Sequence, residues 1–324
     1  MSRMISRRSL LSSLAFGPGL AIVSTAPAAW AQAPAAPAAP IPVVATFSIL
    51  ADFVRAVGGG RVAVTSLVGP DSDAHAYQPS PADARTLAAA KLVFVNGLGF
   101  EGWITRLIRS SGTRAKTVVA STGIAALKAE DDHDHDHGHS HGHGHDHGEH
   151  DPHAWQNALF VKTYVRQIRE ALTAADPAGA EQYLANASAY LALLDGLDAE
   201  IKAAVARIPA ERRRLLTTHD AFRYFEKAYG IEFVALRGVA ADAEPSARDL
   251  GRIIRQIRQG RITAIFLENI SDPRAAQRIV AETGVKLGGK LYSDALSAPG
   301  GPAADYLALM RHNIGQISAA LGSA

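Results

Sequence analysis

Short runs of β-branched and apolar residues alternate with helical patterns along most of this chain. One alternating series lies between residues 43 and 120, and a second lies between residues 215 and 321. Such alternation is typical of parallel sheets whose strands are connected by helices. Between the two series, apolar residues spaced three and four apart predict one long helix over Ala180–Ile208. The pattern predicts an α/β fold class, with two lobes that each have a mainly parallel sheet flanked by helices and are joined by one long spine helix.

The individual elements follow from the same periodicities. The predicted strands are Val43–Phe47, Val62–Val68, Leu92–Val95, Thr117–Ala120, Leu215–Thr218, Glu232–Leu236, Thr263–Leu267 and Lys286–Leu291. The other predicted helices are Leu50–Val57, Pro81–Ala90, Glu101–Ile108, Ala154–Ala175, Ala221–Tyr229, Ala247–Gln259, Pro273–Thr283 and Ala303–Leu321. We expect the following domains: a signal peptide (1–31), a disordered Ala/Pro/Gln linker (32–42), an N-terminal lobe (43–179) with a histidine-rich loop (131–150), the spine helix (180–208) and a C-terminal lobe (209–324).

The first 31 residues have the pattern of a cleavable export signal. Three arginines precede an apolar segment over Leu10–Val23, and Ala29-Trp30-Ala31 ends in the small residues of a cleavage site. The paired arginines Arg7 and Arg8 also fit a twin-arginine signal, so both export routes stay open. No later segment has the length of apolar sequence that a membrane span needs, and no cysteine is present to carry a lipid. We therefore expect a soluble, non-lipidated protein in the periplasm.

The charge balance excludes some classes of partner. Removal of residues 1–31, with their three arginines, takes the formal charge from +2 to −1. A nearly neutral protein gives no reason to expect a nucleic-acid partner. Because the chain has no cysteine, any metal site must use nitrogen and oxygen ligands.

Histidine is concentrated in one segment of the chain. Ten of the thirteen histidines lie between Asp131 and His153, where they alternate with aspartate, glycine and other small residues. Neutral imidazoles bind borderline-soft metals such as zinc, and the neighbouring carboxylates attract cations. Since this histidine tract has no apolar residue, it cannot form a core, and we expect a solvated loop that handles zinc or a similar metal.

Four residues outside or at the edge of the tract are candidate metal ligands. His75 and Asp294 follow predicted strands, His219 directly follows another, and His153 opens the helix after the tract. In parallel sheets, ligands bind beyond the carboxyl ends of the strands. Taken singly, His75 also fits a turn, His219 a strand end and Asp294 a helix N-cap, but together three imidazoles and one carboxylate suit tetrahedral zinc. His312, on the amphipathic last helix, is expected to be structural.

The sequences around these residues carry a family resemblance. His-Ala-Tyr-Gln-Pro-Ser-Pro-Ala-Asp, Asp-Pro-His-Ala-Trp, Thr-His-Asp-Ala-Phe-Arg-Tyr-Phe and Leu-Tyr-Ser-Asp-Ala-Leu-Ser resemble the four metal-ligand segments of the zinc/manganese solute-binding family. These proteins are metal receptors of ATP-binding-cassette importers, in the cluster whose lobes are joined by one rigid helix. The resemblance covers about residues 42–324 and includes the segments Ala243–Ala247 and Glu268–Pro273. It implies a monomer that passes Zn²⁺ to a membrane permease, with these ligands: His75, His153, His219 and Asp294.

The resemblance also bears on the metal and on neighbouring residues. Manganese-carrying members commonly have glutamate at the third ligand position, so His219 favours zinc. Asp220 is expected to cap the following helix, with orientation of a neighbouring imidazole as the alternative role. Trp155 is expected to pack between helices. The histidine tract is expected either to capture additional zinc weakly or to contact a periplasmic zinc chaperone.

Three other functions fit part of the sequence. A zinc hydrolase needs an open coordination position and a general base, whereas four ligands close the shell and no His-Glu-x-x-His segment occurs. A metal buffer or adhesin would place its function in the histidine tract alone. A manganese receptor of the same family would share the fold. We therefore expect a zinc receptor and not an enzyme, and a metal titration with and without the tract distinguishes a receptor from a buffer.

Overall fold

The computed structural model describes residues 39–129, 149–236, 238 and 247–322. The signal peptide, most of the linker and nearly all of the histidine tract lie outside these ranges, so the predictions about them stay predictions.

The described strands and helices alternate in the predicted order. The strands are β1 (Ile41–Phe47), β2 (Val62–Val68), β3 (Leu92–Val95), β4 (Lys116–Val119), β5 (Arg214–Thr217), β6 (Glu232–Ala235), β7 (Ala264–Glu268) and β8 (Lys286–Leu291). The α-helices are α1 (Ser48–Gly58), α2 (Pro81–Ala89), α3 (Ile104–Ser111), α4 (Ala158–Ala175), α5 (Ala180–Ala206), α6 (Arg223–Tyr229), α7 (Ala247–Arg258), α8 (Arg274–Thr283) and α9 (Tyr306–Leu321).

The strands form two four-stranded sheets. The first has the order β2-β1-β3-β4 and the second has the order β6-β5-β7-β8. Neighbouring strands are parallel throughout both sheets. The predicted α/β class with two parallel-sheet lobes is therefore confirmed, and in each lobe the carboxyl ends of the strands lie at one edge.

The spine helix α5 connects the two halves of the chain. Its 27 residues correspond to a length of about 40 Å at 1.5 Å per residue. It packs against α1 and α4 of the first lobe and against α9 of the second. The apolar stripe that predicts this helix consists of Tyr183, Ala187, Leu191, Leu194, Leu197, Ile201 and Val205. Six of these seven residues are buried; Leu191 is only partly buried, and Tyr190 is buried beside it. The helix ends at Ala206, two residues before the predicted end.

Four predicted helix starts are two to four residues too early. Helix α3 begins at Ile104, three residues after the predicted start at Glu101. Residues 154–156 form a 3₁₀ turn, and α4 begins only at Ala158, where the Asn157 side chain accepts a hydrogen bond from the backbone N–H of Leu159. Helix α6 begins at Arg223, so the residues after His219 form a loop. Helix α9 begins at Tyr306 with Asp305 as its N-cap, because the Asp305 carboxylate accepts from the backbone of Ala308.

The largest buried cluster extends through both lobes and the spine helix. Close to the sheet edge of the first lobe, Trp155 contacts the rings of Phe47 and Phe100 with centroids about 5 Å apart. None of the described helices has the length and apolar character that a membrane crossing requires.

Candidate metal centre

His75 lies in the loop between β2 and α2. Its backbone N–H donates to Asp73 Oδ1 at 2.8 Å, which shapes the loop around it. Trp103 holds the preceding residue by donating from its indole nitrogen to the Ala74 carbonyl at 2.8 Å. The imidazole packs edge-on against Phe100, with ring centroids 4.6 Å apart. Nδ1 of His75 has no carboxylate partner among the described residues.

His153 is fully buried and is oriented by a carboxylate two residues earlier. Asp151 Oδ1 accepts from the backbone N–H of His153 at 3.0 Å and lies 2.8 Å from its Nδ1. This contact favours a proton on Nδ1 and leaves the Nε2 lone pair free to bind a metal.

His219 directly follows Thr218 beyond the end of β5 and is oriented from a neighbouring strand. Glu268, the last residue of β7, accepts at Oε1 from the backbone N–H groups of Thr218 and His219 at 2.8 and 2.9 Å. Its other oxygen, Oε2, lies 2.6 Å from Nδ1 of His219. A carboxylate thus lies beside Nδ1 of His219, as at His153, and Nε2 faces the centre.

Asp294 lies in the loop after β8 and is fully buried. The backbone carbonyl of the preceding residue, Ser293, accepts hydrogen bonds from the side chains of Trp155 and Gln156, both at 2.9 Å. The loop of the second lobe that carries Asp294 is thereby attached to the 3₁₀ turn that follows His153 in the first lobe.

The structure brings all four predicted residues together. Their potential ligand atoms lie within 4.8 Å of one another. Nε2 of His75 is 3.2 Å from Nε2 of His153, and Asp294 Oδ2 is 3.3 Å from His75 Nε2 and 3.2 Å from His219 Nε2. Four ligands placed tetrahedrally about 2.0 Å from zinc would be roughly 3.3 Å apart. Three of the separations therefore match the spacing of ligands around one metal ion, and the others are no longer than 4.8 Å.

The charges in the cluster are strongly coupled. Burial opposes a positive charge on His153, but the carboxylates of Asp294 and Asp151 outweigh it and raise the pKa of His153 to about 9. Burial likewise opposes the charge on His219, yet Glu268 and Asp294 raise its pKa well above the ordinary value. Burial alone would raise the pKa of Asp294, but His153 and His219 hold it well below its usual range. Without a metal, the cluster balances its carboxylates with protons on imidazole.

The predicted N-cap role of Asp220 is wrong. Helix α6 starts three residues later, and no side chain caps it. The Asp220 carboxylate lies 4.0 Å from Arg223 Nε, and burial together with the nearby Asp151 charge raises its pKa to about 6. The carboxylates that contact imidazole nitrogens on the side away from the centre are Asp151 and Glu268.

Sequence reasoning missed these two orienting carboxylates although both lie in segments that carry the family resemblance. A carboxylate two residues before His153 was a visible signal, because such partners commonly fix metal-binding imidazoles. Glu268 gave a weaker signal, an acid at the end of a predicted strand, and its partner His219 is 49 residues away.

The expectation for His312 holds, and that for Trp155 holds only in part. His312 lies outside the cluster, where its Nε2 is 2.9 Å from the Lys290 carbonyl and its ring contacts Tyr292. Trp155 is fully buried, but the rings that it contacts belong to strand and loop residues and not to helices: Phe47 at the end of β1, Phe100 between β3 and α3, and His153 at a centroid distance of 5.3 Å.

Comparisons with known proteins agree with this architecture. Residues 43–320 match the family model described as ZnuA, zinc-uptake complex component A, periplasmic. The manganese-binding lipoprotein MntA of Halalkalibacterium halodurans is 32% identical over 84% of this chain and 85% of its own length. The iron-binding protein YfeA of Yersinia pestis is 32% identical over 86% of both chains.

Among solved structures, the periplasmic zinc-binding protein TroA from Treponema pallidum superposes with a TM-score of 0.79 and 30% identity. The superposition covers 88% of this chain and all of that one. With its two parallel-sheet lobes, its long connecting helix and a family match over nearly the whole described region, the chain belongs to the ZnuA family.

Proposed function

We propose that this protein is a periplasmic receptor that captures Zn²⁺ between its lobes and delivers it to the permease of an ATP-binding-cassette importer. Membership of the family makes it a metal-binding receptor of such an importer and not an enzyme. The observation that carries the choice of zinc is the donor set: three imidazole nitrogens and one carboxylate oxygen converge within 4.8 Å of one another.

The choice of metal rests on this donor set because the relatives are named for different metals. Those compared above are named for manganese, iron and zinc. Manganese prefers oxygen-rich sites of higher coordination and lies below zinc in the Irving–Williams order. Three neutral imidazoles therefore favour zinc, with a manganese receptor as the alternative.

The proposed mechanism follows from where each ligand originates. His75 and His153 belong to the first lobe, and His219 and Asp294 belong to the second. An entering ion replaces the protons on the imidazoles and joins the two lobes through its ligands. Since the spine helix packs against both lobes, we expect only a small adjustment between them, and the permease would detect that adjustment. The proposal also includes two lobes (43–179 and 209–324), a cleavable signal peptide (1–31) and a histidine tract that binds additional zinc more weakly.

A titration of single-residue variants tests the site. Zinc is titrated calorimetrically into the parent, into His219→Ala, and into His312→Ala as a matched control that removes a histidine outside the cluster. We expect the parent and His312→Ala to share one tight site, and His219→Ala to bind at least tenfold more weakly, about 1.4 kcal/mol. Unchanged affinity in His219→Ala would contradict the proposed site.

A competition experiment tests the choice of metal. At a fixed pH near 7, zinc should strongly outcompete manganese for the parent site. His219→Glu changes the donor set to two nitrogens and two oxygens, so it should narrow the preference for zinc. Equal or tighter binding of manganese by the parent would assign manganese as the substrate and leave the receptor function unchanged.

A further inference from the structure

Asp71 occupies an unusual backbone position in the loop that carries His75. It lies four residues before His75 and has a φ of +50°, in the left-handed region that non-glycine residues rarely adopt. Its backbone N–H donates to the carbonyl of Leu296 at 2.9 Å. Leu296 belongs to the other lobe and lies two residues after Asp294. A conformation of this kind persists only where surrounding contacts maintain it.

The Asp71 side chain makes two more contacts with the second lobe. Its Oδ2 accepts from the backbone N–H of Ala298 at 3.1 Å, and its Oδ1 accepts from Asn269 Nδ2 at 3.0 Å. Asn269 directly follows Glu268, and its side-chain nitrogen also lies 3.3 Å from the Ala295 carbonyl. One residue of the first lobe thus bonds to the segment that carries Asp294 and to the residue beside Glu268.

His75 is the ligand whose position depends most on its loop. The side chains of His153, His219 and Asp294 are fully buried, whereas that of His75 is 9% exposed. Carboxylates hold Nδ1 of His153 and His219, but His75 has no such partner among the described residues. The placement of the His75 imidazole therefore relies on contacts made by its loop, of which those of Asp71 reach the second lobe.

We infer that Asp71 is an interlobe latch, a positioning residue that keeps the His75 loop against the Asp294 loop and so slows release of the metal. This inference rests on the proposed receptor function. While both loops hold the same ion, these contacts must break before the loops can separate and the ion can leave. Loss of the latch should therefore accelerate dissociation and leave association nearly unchanged.

Two substitutions separate the backbone of Asp71 from its carboxylate. Asp71→Gly tolerates the left-handed conformation and keeps the N–H donor, but it deletes both side-chain bonds. Asp71→Asn keeps the shape of the side chain. The Asn269 amide can turn its unpartnered Oδ1 toward the new amide and restore one bond. Asp195→Ala is the matched control, because it removes an exposed carboxylate that pairs with Lys162 on the surface.

The experiment uses the full chain loaded with one equivalent of Zn²⁺ and mixed rapidly with excess chelator, with tryptophan fluorescence as the signal. Trp155 packs on His153 and therefore reports on the site. We expect dissociation about tenfold faster in Asp71→Gly, an intermediate rate in Asp71→Asn, and the parent rate in Asp195→Ala. Association rates should agree within about twofold. The absorption spectrum of the Co²⁺-loaded variants should match the parent, because the four ligands are unchanged.

A parent-like dissociation rate in both Asp71 variants would overturn the latch, as would an equal loss in the association rate. An altered Co²⁺ spectrum would also overturn it, since the residue would then affect the ligand set itself. If the parent chain had no tight zinc site, the proposed function would fail and the latch with it.

Discussion

At the scale of single residues, the centre is organised by carboxylates that do not face the metal position. Asp151 and Glu268 each contact the Nδ1 of one imidazole and its backbone N–H, so ring and main chain are fixed together. An imidazole whose outer nitrogen is held in this way needs little reordering when a metal arrives. The site is therefore largely formed before the ion enters.

The first prediction concerns Glu268. In Glu268→Gln the side chain keeps its size but loses the charge that holds Nδ1 of His219. Loss of such a partner typically lowers metal affinity by 10- to 100-fold, and we expect a decrease in this range. Competition with a chelating dye measures it. Glu282→Gln, which removes an exposed acid paired with Arg278, is the control. An affinity within twofold of the parent would show that Glu268 does not orient His219.

The second prediction concerns pH. The pKa of His153, raised to about 9, means that its imidazole carries a proton at neutral pH in the metal-free protein. This charge stabilises the fold fully below pH 6.5, and the contribution is lost as pH rises through about 9. Zinc displaces the proton, so its affinity should rise up to tenfold per pH unit for each proton released.

Calorimetry in buffers of different ionisation enthalpy measures the proton release. At pH 7 we expect at least one proton per zinc bound at the tight site. The zinc-induced increase in melting temperature should also be larger at pH 8.5 than at pH 6.5. A binding enthalpy that did not depend on the buffer would contradict the raised pKa.

At the scale of elements, the helix ends depend on single polar groups. Ser80 caps α2 in a reciprocal bond with Asp83, and the sequence pattern predicted that start correctly. The starts of α4 and α9 were predicted too early because the residues just before the caps, Asn157 and Asp305, also fit a helical pattern. Periodicity thus located the elements, whereas capping decided where each one begins.

The spine helix supplies the third prediction. Leu194 is fully buried in the core that the helix shares with both lobes, while its neighbour Leu193 is 48% exposed. Leu194→Ala should lower the free energy of unfolding of the metal-free protein by about 2–5 kcal/mol, because the cavity remains partly unfilled. Leu193→Ala should change it by less than about 0.5 kcal/mol. Denaturant unfolding compares the two, and equal losses would contradict the assigned burial.

At the scale of the whole molecule, the stem of the histidine tract touches both lobes. Ala129 donates its N–H to the Glu149 carbonyl at 3.0 Å, and Asp151 donates to Leu127 at 2.9 Å. The Tyr224 hydroxyl of α6 donates to the Asp151 carbonyl at 2.8 Å and accepts from the Leu127 N–H at 3.0 Å. The segment leading to His153 is thus held by contacts with Leu127, Ala129 and Tyr224.

The fourth prediction concerns the histidine tract. Replacement of residues 131–148 by two glycines should keep the stem and leave the affinity of the tight site within about twofold. The number of zinc ions bound should fall toward one, because the extra ions bind to the imidazoles of the tract. That binding is weak, since it costs the flexible chain conformational entropy. Calorimetric titration measures both. Loss of tight binding would favour a metal buffer in which the tract carries the function.

The sequence by itself determined the order and type of the elements, the two parallel-sheet lobes and the four residues to consider as ligands. These follow from local periodicity, from the position of polar residues just after strands and from motifs that lie within a few residues of one another. Only the tertiary structure decided that the four ligand atoms lie within 4.8 Å of one another, that Glu268 contacts His219, which is 49 residues away, and that Asp71 bonds to the other lobe. Those distances depend on how the whole core packs around the spine helix, which no local pattern contains.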